Sequence, residues 1–506
     1  MRRQRRRTAQ IHGACLAFLA SVLVLAALIG FLLWDSHKSG ADAEARTLIV
    51  FCAAGIKAPV EKAARDYERA YGVPVRLQYG GSQTLLANIE VSERGDLYLP
   101  GDDSYLLAAR KKGLVAEILP LARMTPVLAV RKGNPKNLHS LQDVLTSDSR
   151  LSQANPDAAA VGKLTRDALR RSGQWDAWQK QVLVSKPTVN DVANDVAVGA
   201  VDAGIVWDAL VRQTPALEMV VLPELSAANA HVAVGVLNRG TQPSAALRFA
   251  RYLAARDRGL PLFEQDGFTP VEGDLWAERP EVDLFAGAML RPAVEETLKV
   301  FRVREGVEIH TIYNGCGILV ATMKTNHHTP DAYFACDQSF MIQVKDLFLD
   351  PAIISSNQLV IFVHKGNPHH IESLDDLGQP NLKVGVGHEK QCAMGALTQE
   401  TLKQGRAHNR VMKNVKVQTP TGDMLINQLL TGSLDAVIAY ISNGANAADK
   451  LEAIPIDIPC AVAVQPIAVG KDSNHKQLVG RLVDAIRSRE SRERFESYGF
   501  HWRAPR

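Results

Sequence analysis

Sulfur is the reactive element that this chain spaces most suggestively. Beyond the first 34 residues stand five cysteines, Cys52, Cys316, Cys336, Cys392 and Cys460, with Met394 two residues after Cys392 and His388 four before it. In an oxidising compartment an odd count leaves at least one thiol unpaired within a monomer. Three chemistries are open to them. Cys316 and Cys336 could form a structural disulfide, since neighbouring strand ends can reach the ~4.4–6.8 Å Cα separation it needs. Cys316, Cys336 and Cys392 are candidates for a soft ligand site of Cys, Met and His suited to Cu(I) or Zn. Or the thiols are buried as small hydrophobes. No closed C-x-x-C spacing chooses among these. Catalytic spacing is absent: there is no H-E-x-x-H, no P-loop and no G-x-S-x-G, and Gly385-Val386-Gly387 lacks the third glycine of a nucleotide fingerprint. His327-His328 and His369-His370 lie in polar loops without a third ligand at metal spacing, and the pairs Asp102-Asp103 and Asp375-Asp376 suit helix caps better than an acid/base pair. The expectation is a protein that is not an enzyme and needs no cofactor.

The elements that position these residues occur twice. Phe51 and Phe285, Val60-Glu61 and Val294-Glu295, Gly72-Val73 and Gly306-Val307, Tyr79 and Tyr313, and Gly81 and Gly315 all stand 234 residues apart. Asp96 and Tyr98 match Asp331 and Tyr333 one residue later in offset. The turn KGNP at Lys132–Pro135 recurs at Lys365–Pro368, and Gly162, Gly199 and Asp202-Ala203 fall on Gly395, Gly432 and Asp435-Ala436. Order and spacing kept over more than 200 residues mean duplication, with a period far too long for a solenoid. The first copy is assigned 47–273 and the second 280–506, joined by a linker at 274–279.

Within one copy, the apolar run Leu48–Phe51 suits a buried strand, and a small-residue turn, CAAG, follows it. Val60, Ala63, Ala64, Tyr67 and Tyr71 recur at helical spacing, Pro59 suits the first turn, and Gly72 ends the helix. Val75–Tyr79 alternates like a strand, GGSQ turns into another helix, and Asp96–Leu99 is again strand-like. Strand, turn and helix in this rhythm imply a parallel α/β sheet. Ligands of such sheets bind beyond the carboxyl ends of the strands, where helix starts converge, which points to CAAG, GGSQ and the turn after Asp96. A copy of this length exceeds the commonest domain size, so two lobes with a cleft between them are expected.

Composition and charge bound the rest. At 506 residues, 46% hydrophobic and 22% charged, the chain is globular and too long for one core. Its net charge of +4 comes from Arg2, Arg3, Arg5, Arg6 and Arg7; without them the basic residues fall just short of the 54 acidic ones, and neither half has a nucleic-acid footprint. Residues 1–10 form a basic cytoplasmic head, 11–34 a transmembrane signal-anchor helix and 35–46 a linker, with the uncharged run Ala14–Trp34 long enough to span the hydrocarbon layer. Ala41-Asp42-Ala43 offers a cleavage pattern, so a cleaved, secreted form stays open. Cys15 lies ahead of the apolar core and is no lipid-attachment site. Both readings export the same ectodomain.

The succession VFCAAGIKAPVEKAARDYE, GGSQTLLANIE, GDLYLPGDDSYL, NPDAAAVGKLTRDAL and DAGIVW resembles the molybdate-binding proteins of ABC importers, which are two-lobed periplasmic binding proteins of type II. The resemblance covers the whole first copy and extends more weakly to the second. It implies two tandem α/β solute-binding domains, each of two lobes with a ligand cleft, after an N-terminal transmembrane helix, where the family ordinarily has one such domain. It implies an extracytoplasmic component that binds a small oxyanion such as molybdate or tungstate by cleft closure and delivers it to permease and ATPase subunits. In this family hydroxyls and backbone N–H groups hold the anion. Carried over, the site residues are Ala54 and Gly55, where Gly55 stands in place of the family's serine, then Ser82, Val161, Val189, and Trp207 in place of a tyrosine. The second copy puts Met289, Cys316, Met394 and Tyr440 at the corresponding positions, and Cys336 opposite Gly101. The alternative reading is a membrane-anchored sensor, or a Cu/Zn-binding protein that uses the Cys/Met-rich cleft of the second copy.

Overall fold

The segment LIVFCA, Leu48–Ala53, is buried along almost its whole length, as a strand must be when helices cover both faces of a parallel sheet. In the computed structural model, which describes residues 47–92, 94–326 and 328–504, this strand lies between Val75–Gly80 and Leu97–Leu99. Both neighbours run parallel to it, with Leu48 opposite Val75 and Val50 opposite Leu97. Ala230–Leu237 runs antiparallel beside Leu97–Leu99, with Gly235 opposite Tyr98. The expected anchor at 11–34 and its flanks lie outside the described residues. Among the described residues no helix is long and apolar enough to cross a membrane.

The helix after the first strand runs Lys57–Tyr71 and buries Pro59, Val60, Ala63, Ala64 and Tyr67. Gly72 closes it at φ +65°, its N–H donating to the carbonyl of Glu68, a left-handed cap that a side chain would disfavour. A second lobe of the same copy is a five-stranded sheet in the order Val182–Lys186, Leu151–Ala154, Ala203–Trp207, Pro126–Arg131, Leu217–Val220. The two lobes expected from copy length are therefore present.

The second copy repeats this plan. Glu281–Gly287 lies between Glu308–Asn314 and Ala332–Phe334, both parallel to it, and Val462–Val469 runs antiparallel beside the latter. One difference has a simple cause. In the first copy Pro126 begins a new strand after Thr125, and proline has no N–H for a ladder. Its counterpart Leu359 keeps its N–H and donates to Ala461. There a single strand, Ala352–His364, runs on and joins both lobes of the copy into one ten-stranded sheet.

The repeated KGNP turn is a backbone device. Gly133 and Asn134 have φ of +82° and +44°, and Gly366 and Asn367 have +82° and +45°. Each asparagine exchanges two hydrogen bonds with the residue four ahead. Asn134 accepts from the Leu138 N–H at 3.0 Å and donates to its carbonyl at 2.9 Å; Asn367 does the same to Ile371 at 2.9 and 2.8 Å. Asn tolerates this left-handed geometry because its short amide bonds locally.

The chain divides into two compact units. Of the described residues, the first comprises those up to Ala116, Met124–Ala246 and Asp266–Phe268; the second comprises Glu117–Arg123, Leu247–Gln265 and those from Thr269 onward. The second unit contains a buried ionic knot. Glu305, 1% exposed, ends the helix Arg291–Glu305 and accepts from Arg481 at 2.6 and 3.1 Å and from Arg251 at 3.2 Å. Burial acts to raise the Glu305 carboxyl, but Arg481 and Arg251 outweigh it and hold the group below the usual carboxylate range. Arg304 beside it makes a bidentate pair with Glu117 at 2.8 and 2.9 Å.

Candidate functional site

Three turns of the first lobe and three helix or strand ends of the second meet around one chamber in the first copy. From the first lobe come Ala53–Gly55 after the first strand, Gly80–Ser82 after the second and Gly101 after the third. From the other lobe come Ala159–Val161, Thr188-Val189 and Trp207. Ser82 opens the helix Ser82–Val91, Val161 lies in the first turn of Ala160–Arg171, and Val189 opens Val189–Ala197. All six first-copy residues singled out from the sequence, Ala54, Gly55, Ser82, Val161, Val189 and Trp207, line this chamber.

The lobes of this copy are shut on each other. The Gln83 N–H donates to the Ala158 carbonyl at 2.9 Å across the cleft, and Lys163 donates to the Ser104 hydroxyl at 2.9 Å. Gly81 is required there, because a Cβ would lie 2.5 Å from the Ala158 oxygen and 2.8 Å from the Pro187 oxygen. The space left between these residues is small, enough for one compact solute. No charged side chain lines it. Its polar character comes from the helix starts, which carry partial positive charge, and from Ser82, 2% exposed, whose hydroxyl accepts from the Gly101 N–H at 3.0 Å. That leaves the Ser82 O–H free to donate inward.

The two departures from the family pattern fit each other. A Cβ on Gly55 would stand 2.8 Å from Cδ1 and 3.0 Å from Nε1 of Trp207, and 2.9 Å from Cγ1 of Val189. The indole, 2% exposed, thus occupies the space that a serine side chain at 55 would need. Sequence reasoning missed Thr188 as a lining residue. Its hydroxyl caps the helix Val189–Ala197 through the Asp191 N–H at 3.3 Å and donates to the Asp191 carboxylate at 2.6 Å; a threonine just before a helical pattern was the available signal.

The second copy keeps the geometry and changes the atoms. Met289 lies in the single turn Ala288–Leu290, as Ala54–Ile56 forms a single turn in the first copy. Cys316 opens the helix Cys316–Asn326, Cys392 caps Ala393–Gln404, Met394 is that helix's second residue, and Tyr440 ends the strand Ala436–Tyr440. Cys316 Sγ accepts from the Cys336 N–H at 3.0 Å, the sulfur version of the Ser82–Gly101 bond. Both thiols crowd Gly287, whose Cβ position would be 2.0 Å from Cys336 Sγ and 3.3 Å from Cys316 Sγ. Gly315 repeats the role of Gly81, facing the carbonyls of Gln391 and Pro420.

Burial acts to raise the Cys316 thiol, but the Cys336 thiol, the Cys336 N–H and the Tyr333 hydroxyl favour its thiolate, and it falls below the ordinary thiol range. Its neighbour Cys336 is driven up by sharing that proton and by burial. Burial pushes Cys392 up to about 12, and Cys52, wholly enclosed, higher still. Every described cysteine is a free thiol, so Cys316 and Cys336 stand side by side without a disulfide. Among the described residues no three His, Cys, Asp or Glu side chains form a group that could hold a metal. The structure thus does not gather Cys316, Cys336 and Cys392 as a metal-holding trio. Of the described loop histidines, His328 faces Asp283 at 3.2 Å and His369 faces Asp435 at 3.7 Å.

Two α/β lobes closing on a small uncharged chamber at helix N-termini define a class of protein that captures small solutes. The model of the bacterial extracellular solute-binding protein family matches this chain twice, over residues 48–269 and 282–501, and the chain belongs to that family as a tandem of its domain. A binding protein of Haemophilus influenzae is 27% identical over 234 residues, which is 45% of this chain and 93% of that protein. The molybdate-binding protein ModA of Mycobacterium tuberculosis is 27% identical over 237 residues, 46% of this chain and 88% of that protein. Among solved structures, the periplasmic molybdate-binding protein of Azotobacter vinelandii is similar at 17% identity with a TM-score of 0.39, covering 44% of this chain and all of that one.

Proposed function

We propose that this chain is the extracytoplasmic binding component of an ABC importer and that its first cleft captures a tetrahedral oxyanion of the molybdate, tungstate or sulfate class. The observation that carries this reading is the small chamber lined by helix starts and the Ser82 hydroxyl with no charged side chain. The absence of a carboxylate from the lining favours an oxyanion that carries no proton, since a protonated one would need an acceptor for it. The relatives named for molybdate support the same class. The ligand contacts assigned to the first copy are Ser82, the N–H groups around Ala54, Gly55, Val161 and Val189, and the Trp207 indole N–H. Residues 11–34 hold the chain at the membrane, where permease and ATPase subunits receive the solute; tungstate is taken as molybdate's near isostere. Differential scanning calorimetry of the chain with molybdate, tungstate, sulfate and phosphate tests this. A ligand at about 100 times its Kd adds about 2.7 kcal/mol to the state it binds. A rise in the first transition with molybdate or tungstate, lost in Ser82→Ala, is the expected result. No shift with any of the four anions sinks the reading.

A further inference from the structure

The second cleft has the architecture of the first and a different chemistry. Of the thirteen positions that line the first chamber, none carries sulfur. In the second copy five of their counterparts do: Met289, Cys316, Cys336, Cys392 and Met394. The replacement is local, because the hydrogen bond from residue 101 to residue 82 reappears from Cys336 to Cys316 at the same 3.0 Å. The oxygen that offers a hard ligand a hydroxyl in one copy is a sulfur in the other. Two buried hydroxyls stand beside these thiols: that of Tyr440 has no hydrogen-bond partner, and that of Tyr333 has only the Cys316 sulfur. In the first copy the counterpart of Tyr333 is satisfied: the Tyr98 hydroxyl donates to the Ser82 carbonyl at 2.6 Å. An unsatisfied buried hydroxyl is costly, and here both are available to thiolate sulfurs.

We propose that the second cleft is a binding site for a soft monovalent cation of the Cu(I) class, held by the thiolates of Cys316 and Cys336, with the thioethers of Met289 and Met394 as further donors. Thiolate and thioether sulfur select Cu(I) over harder ions, and a two-thiolate site needs no third Cys or His. On binding, each thiol gives its proton to solvent as its sulfur takes the metal, so one Cu(I) releases two protons and leaves a single negative charge on the complex. Tyr333 and Tyr440 donate to the metal-bound sulfurs and orient them. The inference rests on the reading of the clefts as ligand sites but not on the oxyanion.

The test is a competition titration of the full chain, reduced and handled without oxygen, against a chromophoric Cu(I) chelator. The expected result is one equivalent of Cu(I) per chain. The variant Cys316→Ser/Cys336→Gly restores the residues that the first copy carries in the same geometry, so it is built to fold, and its unfolding midpoint checks that. It should weaken Cu(I) by about 100-fold or more, and Met394→Val by about 10-fold, while Cys460→Ser changes nothing. Failure of the chain to compete with the chelator overturns the proposal. So does Cu(I) held undiminished by the double variant, or Zn(II) held as tightly as Cu(I). Molybdate binding measured in the same double variant separates the two readings, since its persistence leaves the first cleft's function standing whatever the copper result.

Discussion

The fit between Gly55 and Trp207 makes a quantitative prediction. A side chain at 55 begins 2.8 Å from Trp207 Cδ1 and 2.9 Å from Val189 Cγ1, well inside van der Waals contact. The indole is buried at the end of the strand Ala203–Trp207, whose register fixes Pro126 opposite it, so it cannot swing aside cheaply. Gly55→Ser should therefore cost the overpacking penalty of about 1–3 kcal/mol. Trp207→Tyr alone removes bulk and leaves a void, at about 1 kcal/mol or more. Together the changes should offset each other, since the second copy already places Met289 and Tyr440 at these positions. The double variant should be more stable than the sum of the single losses by about 1–2 kcal/mol, within the range for contacting residues. Denaturant unfolding followed by circular dichroism of the four proteins gives the cycle. In the proposed anion site the double variant also regains the hydroxyl that Gly55 lacks, so molybdate should bind it more tightly than Trp207→Tyr alone. Single losses that add within about 0.3–0.5 kcal/mol would refute the idea that these residues compensate.

Other perturbations have equally definite outcomes. Glu305→Gln strips the countercharge from buried Arg251 and Arg481 and should cost about 3–5 kcal/mol in denaturant melts; a loss under about 1 kcal/mol would contradict the buried knot. Because the Glu305 carboxyl is held below its unfolded value of about 4.3, the stability it supplies is fully present above that pH and is lost as acid carries the group through its lower folded value. Acid titration of wild type and Glu305→Gln should therefore converge at low pH and diverge toward neutrality. Gly81→Ala drives a methyl group against the Ala158 and Pro187 carbonyls and should hold the first cleft ajar, weakening its ligand by about 5–150-fold for a closing penalty of about 1–3 kcal/mol; an unchanged affinity in equilibrium dialysis argues against closure as drawn. In alkylation at pH 8 followed by mass spectrometry, half-exposed Cys460 should be labelled first, while Cys52 and Cys392, buried and with raised thiol pKa, should resist until unfolding.

Much of this was legible in the sequence because duplication prints the same constraint twice. Gly72 and Gly306, the two KGNP turns, and the Gly81/Gly315 approaches are positions where backbone geometry admits few residues, so the repeat preserved them and exposed the strand–turn–helix rhythm. The chamber residues followed, since helix starts at the carboxyl ends of parallel strands have one place to converge. What stayed hidden depends on contacts without a local signature. Glu305 corresponds to Tyr71 and Arg251 to Asp484, so the ionic knot has no counterpart in the first copy for the repeat to reveal. The clash that pairs Gly55 with Trp207 links residues 152 positions apart in sequence, and no spacing announces it. The continuous strand Ala352–His364 turned on whether one residue, Leu359 or its counterpart Pro126, keeps an amide proton.

The make-up of the second unit bears on how this gene can change. Residues Leu247–Gln265 come from the first repeat yet belong to the second unit, and Arg251 among them is one of the two cations that pair with Glu305. A break at 274–279, where the sequence invites one, would strip the downstream half of one of the two cations that pair with Glu305. Separation into two independent proteins would leave that buried carboxylate short of a counterion. Selection then acts on the pair as one inherited object, which leaves each cleft free to diverge in what it holds while neither copy is free to leave.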